Sequence, residues 1–235
     1  MIKFFLKILM GFAGLFLLSC DSGDIYPEKY ERNDGITVSA TFVFDNPETF
    51  PSDYLLIFGA FNDRQTTPVA SVRIMKPKNQ EPVNVSIDNL GDNVTSIMLC
   101  IANSGRLPVF SLFETDINVA GGNIAIPESK ISLTSYERIQ NLVFEQYNCV
   151  SCHQGNTGAR NLLLTADKSY NALVNIASSV NPAKNRVTPS DTGNSFLLDV
   201  LTDADVVISQ PHTGFVTRND DIVLLREWIK NGCGK

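Results

Sequence analysis

Two thiols and an imidazole stand together in Cys149-Val150-Ser151-Cys152-His153. Cysteines three positions apart reach a common target within one turn of chain, and the adjoining histidine adds a nitrogen donor. C-x-x-C-H is the attachment signature of c-type haem. Each thiol adds across a vinyl group to form a thioether, and the histidine ligates the iron from the proximal side. Two other chemistries use part of this run. Dithiol exchange wants C-x-x-C after a strand in a βαβ setting, and zinc wants four ligands. An amphipathic helical pattern leads into Cys149, and no second C-x-x-C pair exists. Cys149, Cys152 and His212 supply three zinc ligands at most, and adjacent Cys152 and His153 are poorly placed to share one ion. The run therefore predicts one covalent haem c on Cys149 and Cys152, with His153 on the metal.

The remaining donors are few. His153 and His212 are the only histidines, and the methionines are Met1, Met10, Met75 and Met98. The five cysteines are an odd number, which internal disulfides cannot use up. A disulfide between Cys100 and Cys233 is one outcome outside the cytoplasm; two free thiols are the other. Met98 and Cys100 lie two apart in an apolar strand, facing one way as core.

Two patterns of hydropathy position these groups. From Ile36 to Leu133 the period is two, with strands expected at 37–44, 54–61, 69–75, 83–87, 94–101, 109–113 and 117–126. Turn residues such as Asp45-Asn46-Pro47 and Gly91-Asp92-Asn93 separate them, which predicts a β-sandwich over 36–133. That half has no histidine and shows no catalytic constellation. At Thr134 the period becomes helical. Thr134 and Glu137 fit a capping box, followed by Ile139, Leu142, Val143 and Tyr147. A second helix is expected after Thr165, with Tyr170, Leu173, Val174 and Ala177 on one face. A third is expected near Asn194 and a last one near Thr217, ending at Gly232. The expectation is a two-domain chain, all-β then all-α, with the helical domain over 134–235.

Here the chain resembles a known family. Residues 134–235 are similar to the small monohaem c-type cytochrome domain of bacterial exported proteins. The likeness rests on the C-x-x-C-H and on Gly158-Ala159-Arg160-Asn161-Leu162-Leu163-Leu164. It also rests on Tyr170-Asn171-Ala172-Leu173-Val174, on Arg186-Val187-Thr188-Pro189, on Asn194-Ser195-Phe196-Leu197-Leu198 and on the closing Asp221 to Gly232. It implies a small helical cytochrome c domain, and says nothing about the β half.

The family's distal ligand is usually a methionine in a Met-Pro segment, but this chain has Gln210-Pro211-His212 there, and no methionine from 99 onward. His212 is thus the expected second iron ligand. An open or water-bound iron, or Met98 or Met75 from the β half, are the alternatives. Pro189 is expected to place a carbonyl near the free nitrogen of His153, and Arg186 or Arg160 to pair with a haem propionate. Trp228 reads as core or haem-edge packing.

The first 19 residues read as an export signal: Lys3 and Lys7, an uncharged run from Ile8 to Leu18, then Leu17-Leu18-Ser19-Cys20. This resembles the lipobox of bacterial lipoproteins, which implies lipidation at Cys20. Residues 20–35 read as a flexible tether. The formal charge of −6 and the absence of a basic stretch argue against nucleic acid as a partner. The expected function is a membrane-tethered, periplasmic or surface-facing electron carrier serving redox partner proteins, and not an enzyme. The alternatives are a haem peroxidase or small-ligand sensor with an open distal face, and a binding lipoprotein whose β half recognises a partner.

Overall fold

Alternation builds the first strand, β1 (Ile36–Asp45), in which Val38, Ala40, Phe42 and Phe44 are buried and their neighbours are not. A computed structural model describes residues 35–63, 66–118, 122–155, 158–206 and 208–235. The export signal and Cys20 lie outside the described residues, as does the expected tether up to Asp34. Six strands follow β1: β2 (Leu55–Phe61), β3 (Ala70–Ile74), β4 (Val83–Leu90), β5 (Ser96–Ala102), β6 (Pro108–Asp116) and β7 (Ile124–Ser132). They form a three-stranded sheet in the order β4-β1-β7 and a four-stranded sheet in the order β3-β2-β5-β6. Every pair is antiparallel except β1 with β7, which is parallel.

Side chains of both sheets meet in one core. Phe42 of β1 packs edge-on against Phe58 of β2 and Phe113 of β6, with ring centres 5.7 and 5.6 Å apart. Such pairs contribute about 0.5–1.5 kcal/mol beyond the area they bury. The last strand departs from the expected 117–126. It starts at Ile124 and runs to Ser132, an edge strand whose Pro127 falls at the register shift opposite Ala40 and Phe42. A proline is tolerated at such a shift because no ladder bond needs its nitrogen.

Beyond β7 the expectation of an all-α domain is not met. The chain is mostly β, and its helices are short: α1 (Tyr136–Ile139), α2 (Ser169–Leu173), α3 (Phe196–Thr202) and α4 (Asn219–Lys230). A π-helical stretch, Gln140–Glu145, extends α1, and single 3-10 turns occur at Pro47–Thr49, Cys149–Ser151 and Ala159–Asn161. No helical cytochrome c domain is present among the described residues.

The reason is visible at α2. It stops at Leu173, Val174 is extended and Asn175 turns to a φ of 60°. The Asn175 N–H then donates to the Val187 carbonyl at 2.9 Å, and the Val187 N–H to that of Leu173 at 3.1 Å. Pairing with the returning segment satisfies the polar groups that a longer helix would have satisfied. Pro182 and Pro189 keep that returning segment from becoming helical. The cap of α1 also sits one residue later than expected: Ser135 Oγ accepts the Arg138 N–H at 3.3 Å.

Residues 35–235 form one compact unit. Its most buried polar contact joins the chain around Thr49 to α1. Arg138, fully buried, donates to the main-chain oxygens of Leu133 and Thr49 and to Thr49 Oγ1. Beside it, the Ser52 N–H and hydroxyl both donate to the Asp220 carboxylate at 2.7 Å, and the Arg218 guanidinium lies 4.8 Å from the Tyr54 ring centre. Among the described residues no helix is long and apolar enough to cross a membrane.

Candidate functional site

The Cys149–Ser151 turn follows Asn148, which takes a φ of 57° and ends the helical run. The turn places Cys149 half-buried and Cys152 exposed, both as free thiols. Burial pushes the Cys149 thiol upward. The His153 N–H donates to the carbonyls of Cys149 and Val150, and its own carbonyl accepts from Leu164 at 2.7 Å. Leu164 is tied in turn to the π-helical stretch, because the Gln140 amide donates to its carbonyl at 2.9 Å and Ser169 donates to Gln140. His153 is thus braced from several segments.

Cys149, Cys152 and His153 line a cavity of about 300 Å³, together with Phe144, Leu162, Leu173, Phe196, Arg186, His212 and others. That volume is at the lower end for small-molecule sites. His212 enters from the segment between α3 and α4. The two imidazole ring centres are 6.1 Å apart, with ring planes at 42°. A metal-bound imidazole nitrogen lies about 2 Å from a first-row ion and the ring centre about 1 Å beyond it, so two imidazoles on opposite sides of one ion have centres about 6 Å apart.

Each ring is also oriented in the same manner. His153 Nδ1 faces the Leu162 carbonyl at 3.3 Å, and His212 Nδ1 faces the Gln210 carbonyl at 2.7 Å. A carbonyl only accepts, so Nδ1 carries a proton on both rings, and Nε2 is the nitrogen left to ligate. Metal-binding histidines are held in this way, with the second nitrogen donating to a main-chain oxygen. Burial lowers the His153 pKa, which keeps the ring neutral and able to ligate.

The carbonyl behind His153 is therefore that of Leu162. Pro189 does not line the cavity. A glycine makes the Leu162 contact possible: a Cβ at Gly158 would collide with the Leu162 oxygen. The spacing Gly158 to Leu162 was a readable signal, though not one that points to a histidine by itself.

Arg186 and Arg160 both line the cavity, and no carboxylate does so among the described residues. The Arg186 guanidinium is fixed by the carbonyls of Ala172, Arg160 and Asn161 at 2.8, 3.3 and 3.2 Å. One fixed cation, Arg186, and the exposed Arg160 at an apolar cavity suit a flat apolar ligand that carries acidic groups. The cavity thus fits haem in four respects: paired thiols, two correctly spaced imidazoles, an apolar lining and cations for propionates.

Other expected participants lie elsewhere. Met75 and Met98 are not at the cavity. Met75 is 81% exposed, and Met98 packs beside buried Cys100 and Ile57. Cys100 and Cys233 are free, so the disulfide weighed between them is not formed. Burial raises these thiols to about 12 and about 11. Trp228 is core: its indole N–H donates to the Gly234 carbonyl at 2.8 Å and its ring packs on Tyr136. Gln210 lines the cavity and contributes its carbonyl to His212. Among the described residues no group of three or more His, Cys, Asp or Glu is placed to hold a metal ion by itself. Comparison with known protein families, curated proteins and solved structures finds no match.

Proposed function

We propose that this chain is an electron carrier holding one haem through thioethers at Cys149 and Cys152, with His153 and His212 as the two iron ligands. The observation that carries the proposal is the pair of imidazoles, with centres 6.1 Å apart and each Nδ1 held by a carbonyl. The haem supplies reversible one-electron chemistry when bound. The protein's residues bind, orient and shield it. Leu162 and Gln210 aim the rings, Arg186 and Arg160 neutralise acidic substituents, and Phe144, Leu173 and Phe196 exclude water. Two strong nitrogen ligands leave no open position for a substrate, which favours electron transfer over turnover. The reading rests on the cavity and its donor set, not on the fold.

Cys20 completes the proposal. Acylation at the end of the apolar leader would anchor the protein to a bacterial membrane, since each buried methylene contributes about 0.8 kcal/mol. The test is a denaturing gel of the membrane fraction, stained for haem. A stained band at the protein's mass is expected. It should vanish in Cys149→Ala/Cys152→Ala, and it should move to the soluble fraction or remain unprocessed in Cys20→Ala. A colourless purified protein would overturn the reading.

A further inference from the structure

The two histidines are held very differently, and the difference lies in the segments that carry them. His153 sits between the two attachment cysteines' turn and a segment tied to buried Gln140. Main-chain bonds reach it from Cys149, Val150 and Leu164, and its ring bonds to Leu162. The stretch 208–216, which carries His212, is in neither helix nor strand. Among the described residues its hydrogen bonds are local. His212 Nδ1 bonds Gln210, the Phe215 N–H bonds the His212 carbonyl at 3.0 Å, and Thr213 Oγ1 bonds the Asp203 carbonyl at 3.3 Å. Gly214 has a φ of 84° with open space where a Cβ would be. Only Val216 of this stretch is buried, and Phe215, whose ring centre lies 5.5 Å from that of His212 with the planes tilted by 34°, is 47% exposed. Segments with few buried contacts and few long-range bonds open at the lowest free-energy cost.

We propose that His212 is an exchangeable ligand, and that a neutral diatomic molecule takes its place on the iron when 208–216 swings outward. This rests on the haem reading above and adds ligand sensing to it. His153 cannot leave in the same manner, because covalent attachment at Cys149 and Cys152 would bind its neighbours to the haem. Opening is therefore confined to one side. The lining near His212 combines apolar Val200, Leu201, Phe215 and Val216 with polar but uncharged Ser209 and Gln210, and carries no carboxylate, which suits a small uncharged ligand. The bond that breaks when the stretch moves is the one tying it to the rest of the chain, from Thr213 Oγ1 to the Asp203 carbonyl. Phe215, half in solvent, closes over His212 in the resting state and moves with it.

The probe is carbon monoxide, mixed with the reduced full-length protein and followed by absorption. Uptake should go to completion. Its rate should level off as carbon monoxide rises, because departure of His212 becomes limiting. In His212→Ala the rate should rise in proportion to carbon monoxide and exceed the parent's several-fold. In Phe215→Ala the limiting rate should increase. A second readout is independent of colour: proteolytic cleavage within 208–216 should quicken in the carbon monoxide form. Absence of uptake by reduced parent protein, with His212→Ala competent, would overturn the proposal while leaving the two-histidine reading intact. Equal, proportional rates in parent and His212→Ala would instead show that His212 never bound the iron, and would overturn both.

Discussion

His153 and His212 approach the same cavity from segments 59 positions apart in the chain, and their ring centres come to 6.1 Å. A salt bridge or hydrogen bond between them does not explain this, since each Nδ1 is occupied by a main-chain carbonyl. The proposed shared iron would give both Nε2 atoms a partner.

The Leu162 carbonyl sets the donor strength of His153, and Gly158 gives that carbonyl its room. Gly158→Ala should push the Leu162 oxygen away and weaken the bond to Nδ1. A less basic imidazole stabilises ferric iron less, so the midpoint potential should rise. Gly158 takes a φ of 28°, where a side chain is strained in any case, so folding is checked alongside by urea titration. A correctly folded Gly158→Ala with an unchanged potential would remove Leu162 from its positioning role.

Arg138 is fully buried and bonds two main-chain oxygens and the Thr49 hydroxyl. Burial lowers its pKa to about 10, partly offset by the nearby Asp221 carboxylate. Arg138→Met preserves bulk but strands those acceptors and weakens the support of buried Asp221. Losing hydrogen bonds from a buried charged donor costs about 1.5–3 kcal/mol. Urea unfolding should show a midpoint lowered accordingly at unchanged slope. A loss below about 1 kcal/mol would mean that the acceptors find water instead.

Asp220 supplies a pH dependence. Partial burial alone would raise its pKa, but the two hydrogen bonds from Ser52, with Lys76 and Arg218, bring it below the usual carboxylate range. A depressed folded-state value means that Asp220 stabilises the fold above the unfolded value of about 3.9, and that the contribution is lost as pH falls through the folded value. The stability difference between parent and Asp220→Asn should be level from neutral pH down to about 5 and shrink below about 4. A difference that stays constant through the acid range would place the Ser52 contact outside the stability of the unit.

The legible parts of this molecule are those whose signal is local. Strand β1 follows from the alternation that one buried face imposes, β2 from a continuous apolar run buried on both faces, and α4 from apolar spacing with Gly232 just past its end. The positive φ of 87° at Gly232 is the kind of position that a glycine serves. The helical content of 134–235 was overestimated because apolar residues three and four apart also arise in a segment that folds back to pair. Whether Leu173 continues a helix or pairs with Val187 is decided by a segment 14 residues away. Strand β7 was misplaced because Pro127 and the charged residues after it hide the alternation. The C-x-x-C-H and His212 were read from residue type and count, and the structure brings them to one cavity. The acceptor for His153 was assigned to Pro189, because nothing in Leu162 advertises a carbonyl. Arg138 carries no signal in the sequence that it is buried; the Leu133 and Thr49 carbonyls that hold it come from other parts of the chain.

The most direct test of the central claim is the visible and near-infrared spectrum of the oxidised protein, compared between the parent and His212→Ala. Two imidazoles on one haem iron predict a low-spin spectrum in the parent, without the weak near-infrared band of sulfur ligation. His212→Ala should become high-spin, and His212→Met should raise the midpoint potential, within the roughly 0.8 V that axial ligands command. A parent spectrum that His212→Ala leaves unchanged would contradict the account, because His212 would then be a loop residue beside a haem that it does not bind.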